Sequence, residues 1–245
     1  MEKDFEKKYH DVETEHWWFK SRRKYLLDLL QNAPKDSKVL DIGCSSGIFL
    51  KDLEQLGFST ANLYGVDISE KAIANCKANG IPNAFVMDAQ HVTLTESFDI
   101  IIASDCLEHL ENDQQAIQNW KSLLKAGGKM YVFVPAFMSL WSYHDEVNMH
   151  HRRYTNAELQ SKLEAEDLQI LKSSYWNFFL FVPVYVFRKL SAVFQKNKKG
   201  ESDISIGNRL VNKMLLLLIV FENKLLKVFN FPFGVSTFCI VQRKA

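Results

Sequence analysis

Asp41-Ile42-Gly43-Cys44-Ser45-Ser46-Gly47 sets a carboxylate at the end of a short apolar run and follows it with small residues. Small residues let backbone N–H groups approach a ligand that larger side chains would hold off. The acid selects the ligand. A helix that begins after such a loop turns its positive end toward bound phosphate, and a carboxylate there would repel a pyrophosphate. A sulfonium or an ammonium group would be attracted instead. Two further acids, Asp67 and Asp88, end the runs Leu63-Tyr64-Gly65-Val66 and Ala84-Phe85-Val86-Met87. A carboxylate at the end of a strand can accept hydrogen bonds from both hydroxyls of a ribose. Singly, each acid reads as a helix cap or a solvated loop end. Together, at successive strand ends, they point to one crevice.

A second group of residues could handle a proton. Asp105, Glu108 and His109 are spaced i, i+3, i+4, one face of a helical turn. His109 could take a proton from a hydroxyl or amine. The three could instead hold a divalent ion that lowers the pKa of an acceptor hydroxyl, or serve only as caps. His144-Asp145-Glu146 and His150-His151-Arg152-Arg153-Tyr154 are too polar for a core. His144 is a second candidate base, and Arg152 and Arg153 are candidate anchors for a phosphate or carboxylate. The plainer reading is a loop braced by pairs between these arginines and Asp145 or Glu146.

These residues need elements to position them. The pattern predicts strands at 39–42, 63–68, 84–87, 98–104, 129–134, 168–174 and 235–241, with helices between them. Helices are expected at 48–56, at 70–79 behind the cap Ser69, at 112–126, and from the capping box Thr155/Glu158 to about 166. The run 98–104 is almost wholly apolar, as in a parallel sheet covered on both faces. A leader helix is expected at 16–33, ended by Pro34; residues 1–15 read as a mobile lead-in, and 141–154 as a long loop. Residues 177–234 form a separate block with apolar stretches at 178–194 and 210–229 and a Lys-rich linker between them.

Asp41-x-Gly43-x-Ser45-x-Gly47 resembles the first motif of class I S-adenosylmethionine (SAM)-dependent methyltransferases, usually acid-x-Gly-x-Gly-x-Gly, with Ser45 in place of the middle glycine. SAM carries a sulfonium and an ammonium and has no phosphate. The order of the later landmarks fits the same family. The resemblance implies a Rossmann-like fold, a seven-stranded mixed sheet with helices on both faces and a final antiparallel strand, here preceded by an inserted apolar helical pair. It covers about 16–175 and 235–242. It implies that Asp41, Gly43, Ser45 and Gly47 cradle SAM, that Asp67 and Ile68 meet its ribose side, that Asp88 and Ala89 meet its adenine, and that Ser104 lies near its methionine end. Glu15-His16-Trp17-Trp18-Phe19-x-x-Arg22-Arg23 resembles the leader helix of a bacterial subgroup associated with glycan and lipid-linked sugar biosynthesis. That adds Trp18 and Arg22, with Arg22 expected to pair the methionine carboxylate. Acid-x-x-Glu-His also resembles the metal site of some ubiquinone-pathway and small-RNA methyltransferases. Glu-His occurs in metal-free relatives too, and the sequence-level assignment is no metal.

The expectation is thus one domain that moves the methyl of SAM to a small or lipid/glycan-linked acceptor, with oxygen as the expected methylated atom. A nicotinamide-dependent oxidoreductase would want Gly-x-Gly-x-x-Gly and no acid after the first strand. A non-catalytic SAM-binding scaffold is the other alternative. With 47% hydrophobic residues, 24% charged residues and a net charge of +1, the chain has a globular composition and no global field for nucleic acid. Cys44, Cys76, Cys106 and Cys239 form no Cys-x-x-Cys pair, which suits reduced thiols in a cytoplasmic setting. No signal peptide is expected, because the first ten residues are dominated by charges. Arg188-Lys189 and Glu222-Asn223-Lys224 interrupt the apolar stretches, which argues against membrane spans. The block 177–230 is expected to make either a homodimer or a peripheral contact at the inner membrane face.

Overall fold

A computed structural model of the protein describes residues 13–194 and 208–244. The expected linker 195–209, with its run Lys196-Asn197-Lys198-Lys199, lies almost wholly outside the described residues, as do residues 1–12 of the expected lead-in.

Strands β1 (Val39–Ile42), β2 (Leu63–Asp67), β3 (Asn83–Val86), β4 (Phe98–Ser104), β5 (Leu124–Pro135), β6 (Leu168–Trp176) and β7 (Ser236–Arg243) form one sheet in the order β3-β2-β1-β4-β5-β7-β6. The first five are parallel, and β7 runs antiparallel between β5 and β6. This is the expected seven-stranded mixed sheet. Side chains alternate across it. Val39, Ile100, Ile102, Phe133 and Phe238 face one core; Leu40, Ile42, Ile101, Val132 and Cys239 face the other. Burial on both faces is why β4 has no polar alternation.

Helices α1 (Trp17–Leu30), α2 (Ile48–Gln55) and α3 (Glu70–Ala78) contribute Tyr25, Leu50 and Ile73 to the first core. Helices α4 (Asp113–Leu123) and α6 (Asn156–Glu164) put Ile117, Trp120, Leu159 and Leu163 into the second. The N-caps are legible in the sequence: Ser69 accepts from the N–H of Ala72, and Thr155 with Glu158 makes a capping box. The helix expected at 112–126 stops at Leu123. Leu124 is fully buried and already pairs with Phe98 in the sheet. The register then jumps to Ile100 opposite Lys129, Gly127 takes a positive φ of 74°, and Lys125 Nζ pairs with Asp99. The expected loop 141–154 contains a short helix, α5 (Tyr143–Val147), capped by Ser142 and Asp145.

The block before β7 holds α7 (Phe181–Phe194) and α8 (Arg209–Leu225). Each has its own neighbour. Helix α8 lies on α1, while α7 lies on the 138–140 turn. Asn212 Oδ1 accepts from Trp17 N–H, and Asn223 bridges Trp176 Nε1 to the carbonyl of Ser21. No described helix is long and apolar enough to cross a membrane.

Gly47 opens α2 in the left-handed region, φ 74°, and a Cβ there would lie 2.4 Å from Cys76 Sγ. Both the backbone and the neighbour therefore exclude a side chain. Gly47→Ala should lower the unfolding free energy by about 1–3 kcal/mol from backbone strain alone, with the contact adding to it. Adding Cys76→Ala should recover the contact part, so the two losses should be less than additive. Strict additivity in denaturant melts would show that the Cys76 contact carries no energy.

Candidate active site

The carboxyl ends of the strands open onto a cleft of about 550 Å³ whose near wall holds Gly43, Ser45, Asp67, Ile68, Asp88 and Ala89. Asp105, His109, Met149 and His151 form its far wall. A chamber of about 70 Å³ shares Gly43, Ser45 and Asp105 and reaches back to Arg22, Asp41 and Ser104. The expected cofactor residues are thus gathered along one crevice. Trp18, Gly47 and His144 border neither space.

The glycine-loop geometry explains the serine. Ser45 takes φ 49°, a conformation that costs a non-glycine residue energy. Its backbone N–H donates to Asp67 Oδ2 at 3.0 Å, and its hydroxyl donates to Glu13 Oε2 at 3.3 Å. Ser46 Oγ donates to the same Glu13 oxygen at 2.5 Å. Glu13 is only 8% exposed. The lead-in reading is therefore corrected for residues 13–15: this stretch closes over the loop, and Arg23 holds it by donating to the carbonyl of Glu13. Periodicity could not reveal this, because Glu13 lies outside any element and the hydroxyls of Ser45 and Ser46 that meet its carboxylate are more than thirty residues away.

Three acids crowd the loop. Asp67 is fixed by N–H donors from Ser45 and Ser69. Asp41 is 6% exposed, and burial, then Asp67 and Glu13, push its carboxyl up to about 8. Asp88 caps the 89–91 turn through the N–H of Gln90. Trp120 Nε1 pins that turn by donating to the carbonyl of Ala89 at 2.7 Å. Ile68 is 75% exposed beside Asp67 and offers an apolar surface to the cleft.

Arg22 is 3% exposed and lies in an aromatic cage. Its guanidinium carbon is 4.2 Å from the ring centre of Trp176, 4.7 Å from that of Phe133 and 5.5 Å from that of Trp18. It donates to Ser104 Oγ and Ser236 Oγ and pairs with Asp105 at 3.4 Å. Trp18 in turn packs edge-on against Trp176.

The far wall rests on Asp145, whose side chain is fully buried. Arg153 grips it with two hydrogen bonds, at 2.7 and 3.1 Å, and His150 Nδ1 meets it at 2.9 Å. These partners hold its carboxyl well below the usual range, against the effect of burial. Arg152 pairs with Asp113. The acceptor-anchor reading of Arg152 and Arg153 is corrected accordingly: both are spent on internal carboxylates. Sequence spacing hinted at Arg153–Asp145; Asp113, forty residues upstream, gave no such signal. Burial pulls the imidazole of His109 down to about 3 and that of His144 down to about 4. His144 lies behind His150, ring centres 6.4 Å apart, bonded to Asn148.

Glu108, His109 and His150 bring one ligand atom each within 4.8 Å of one another. His150 replaces Asp105 of the expected trio, because Asp105 turns to Arg22. Nothing in the spacing of the sequence joined His150 to Glu108.

Comparison with known proteins matches residues 40–132 to the methyltransferase domain family model. The ubiquinone biosynthesis O-methyltransferase of Glaesserella parasuis is 33% identical over 106 residues, which is 39% of this chain and 44% of that protein. The chain thus matches less than half the length of that relative. A SAM-dependent methyltransferase from Archaeoglobus fulgidus superposes with TM-score 0.60 at 18% identity, covering 96% of this chain and 99% of that one. One from Thermotoga maritima gives 0.59 at 16%, covering 98% of each. The architecture is the Rossmann-like fold of class I SAM-dependent methyltransferases.

Arg153→Met should cost about 3–5 kcal/mol, because it removes the two-bond partner of a buried carboxylate and leaves it His150 and the more distant Arg188 as basic partners. Arg152→Met, at a partly exposed pair, should cost about 1 kcal/mol or less. Equal losses in chemical denaturation would contradict the central place given to Asp145.

Proposed function

We propose that the protein is a SAM-dependent methyltransferase acting at oxygen on a small or lipid/glycan-linked acceptor, in a cytoplasmic setting. The observation that carries the reading is Asp41. A buried carboxyl pushed up to about 8 among other acids is a poor structural device and a good receptor for a cation. SAM fits that demand, and the cleft offers it Asp67 for a diol, the Ile68 shelf for a flat ring, and Asp88 for an amino group. Asp67 is held in place by the N–H groups of Ser45 and Ser69. Arg22 would meet the methionine carboxylate only by sharing itself with Asp105. The bound cofactor supplies an electrophilic methyl group. The chain's part is to orient the acceptor and exclude water, since positioning dominates such a transfer. The curated relative's name, an O-methyltransferase, supports the choice of oxygen.

His109 faces the cleft, but at about 3 its imidazole is a weak base on its own, because a general base works best near the operating pH. A second reading therefore gains support: Glu108, His109 and His150 hold a divalent ion. Among the described residues Glu108 Oε2 is buried without a hydrogen-bond partner, and burial raises its pKa well above the usual carboxylate value. Asp145 holds His150 by Nδ1, the arrangement that orients an imidazole toward a metal. Two imidazoles and one carboxylate suit zinc-like ions better than magnesium. Such an ion would lower the pKa of an acceptor hydroxyl.

Calorimetry with SAM tests the cofactor. Asp67→Ala should cost about 1.5–3 kcal/mol of affinity, and NAD should not bind. A cation stabilises the ionised form of Asp41, so binding expels a proton below pH 8. Affinity should climb from pH 6 toward 8, by at most about tenfold per unit, and flatten in Asp41→Asn. The sign for stability is opposite. A raised carboxyl stabilises the free protein below its ordinary value near 4 and loses that contribution as pH rises through about 8. Asp41→Asn should therefore raise the melting temperature of the free protein at pH 8. No SAM binding at any pH, or full affinity in Asp67→Ala, would remove the assignment.

For the far wall, turnover on an oxygen acceptor should fall by about 10²–10⁴ in His109→Ala with SAM binding kept. If a chelator abolishes turnover and zinc restores it, the ion reading holds; turnover indifferent to chelation leaves positioning with an unaided His109.

A further inference from the structure

Helix α8 is apolar on two opposite sides. Ile219, Glu222 and Asn223, with Leu226 just beyond, are buried against the domain. At about 100° per residue, Leu210, Met214, Leu217 and Phe221 form a stripe on the other side. These four are 54–66% exposed. Val182, Val186, Phe187 and Leu190 of α7 are also exposed, and so are Val228 and Phe229 after α8. An exposed apolar stripe such as that of α8 marks a docking site.

Charge decides the occupant. Residues 177–234 contain nine Lys or Arg and three Asp or Glu, a local charge of +6 in a chain whose total is +1. The one acid among the described residues of this block, Glu222, is fully buried and accepts from the N–H of Phe179. Lys189, Arg209, Lys213 and Lys224 are exposed. A second copy brought symmetrically onto this face would set one positive block against another. An anionic surface would gain from the same charges. The helices are too short and too interrupted to span a bilayer, whereas an apolar stripe flanked by Lys and Arg suits the plane of the headgroups.

We infer that the outer face of α8 docks on an anionic lipid bilayer. This deepens the proposed function, since it would bring a lipid-linked acceptor to the domain. The inner face of the same helix clamps α1 through Asn212 and Asn223, so the docking face and the helix that carries Arg22 form one packed unit.

The test is flotation of the full chain with phosphatidylcholine vesicles, alone and with one third phosphatidylglycerol. The chain should float with the anionic vesicles at low salt and much less at about 0.5 M salt, where the Debye length is only a few ångströms. Lys213→Gln/Lys224→Gln should weaken partition about 25-fold, at about fivefold per charge lost. Leu217→Glu/Phe221→Glu should abolish it. Calorimetry with SAM on the same proteins serves as the folding control, because all four side chains are solvent-exposed. Absence of flotation at low salt, or flotation unchanged in Leu217→Glu/Phe221→Glu, overturns the inference. So does a wild-type dimer that fails to float and becomes monomeric in that variant; it assigns the face to a second copy. SAM binding without flotation sinks the docking face alone. Flotation without SAM binding sinks the methyltransferase reading alone.

Discussion

One buried guanidinium links the parts that build the crevice. Arg22 comes from α1, its anionic partner Asp105 follows β4, and its hydroxyl partners sit at the ends of β4 and β7. Trp176 at the end of β6 and Phe133 on β5 cover its faces. Taking a charge this far out of water costs several kcal/mol unless it is paired and hydrogen-bonded. Arg can meet that cost in a way Lys cannot, because its planar group stacks on rings while its edge donates. The leader helix is thereby locked to the sheet beside the small chamber lined by Arg22, Asp41 and Ser104. Helix α8 then covers the leader helix. The unusual additions to this domain, at both ends of the chain, share one anchor.

The electrostatics around that anchor are arranged unevenly. On the far wall the buried Asp145 is met by Arg153 and His150. On the near wall burial, then Asp67 and Glu13, raise the carboxyl of Asp41. Holding a carboxyl at about 8 instead of its ordinary value costs on the order of 4 kcal/mol at neutral pH. A fold that wanted only stability would place an amide there. The left-handed Ser45 is a second local cost on the same loop. Strain and like charge gathered at one loop are the marks of a ligand site.

The fold was largely legible because its signals are local. Strand-end acids, the caps Ser69 and Thr155, and the apolar run of β4 are each complete within a few residues. The site was legible where a motif lies on one strand–loop–helix unit, as at 41–47. It was not legible where partners come from distant segments. Arg152 looked available because Asp113 belongs to another element. Glu13 looked solvated because its hydroxyl partners lie across the chain. Asp105 sat at the right spacing beside Glu108 and His109, yet Arg22 claims it, and His150 takes its place. The end of α4 was overrun for a related reason: helix propensity extends past Leu123, while pairing of Leu124 with Phe98 outweighs it.

A fold of this kind does not by itself dictate a reaction, so the weight falls on what the site leaves unfinished. The near wall is short of positive charge. The far wall has a buried Glu108 oxygen without a partner and two imidazoles held neutral by burial. A decayed scaffold would have no reason to keep both deficits at the carboxyl ends of the same sheet. A nicotinamide enzyme would not place Asp41 where a pyrophosphate must sit. A cationic methyl donor answers the first deficit, and an acceptor hydroxyl, alone or on a metal ion, answers the second. His109 lines the cleft of about 550 Å³ and Asp41 the smaller chamber, and the two spaces share Gly43, Ser45 and Asp105, so that two bound partners could meet between them.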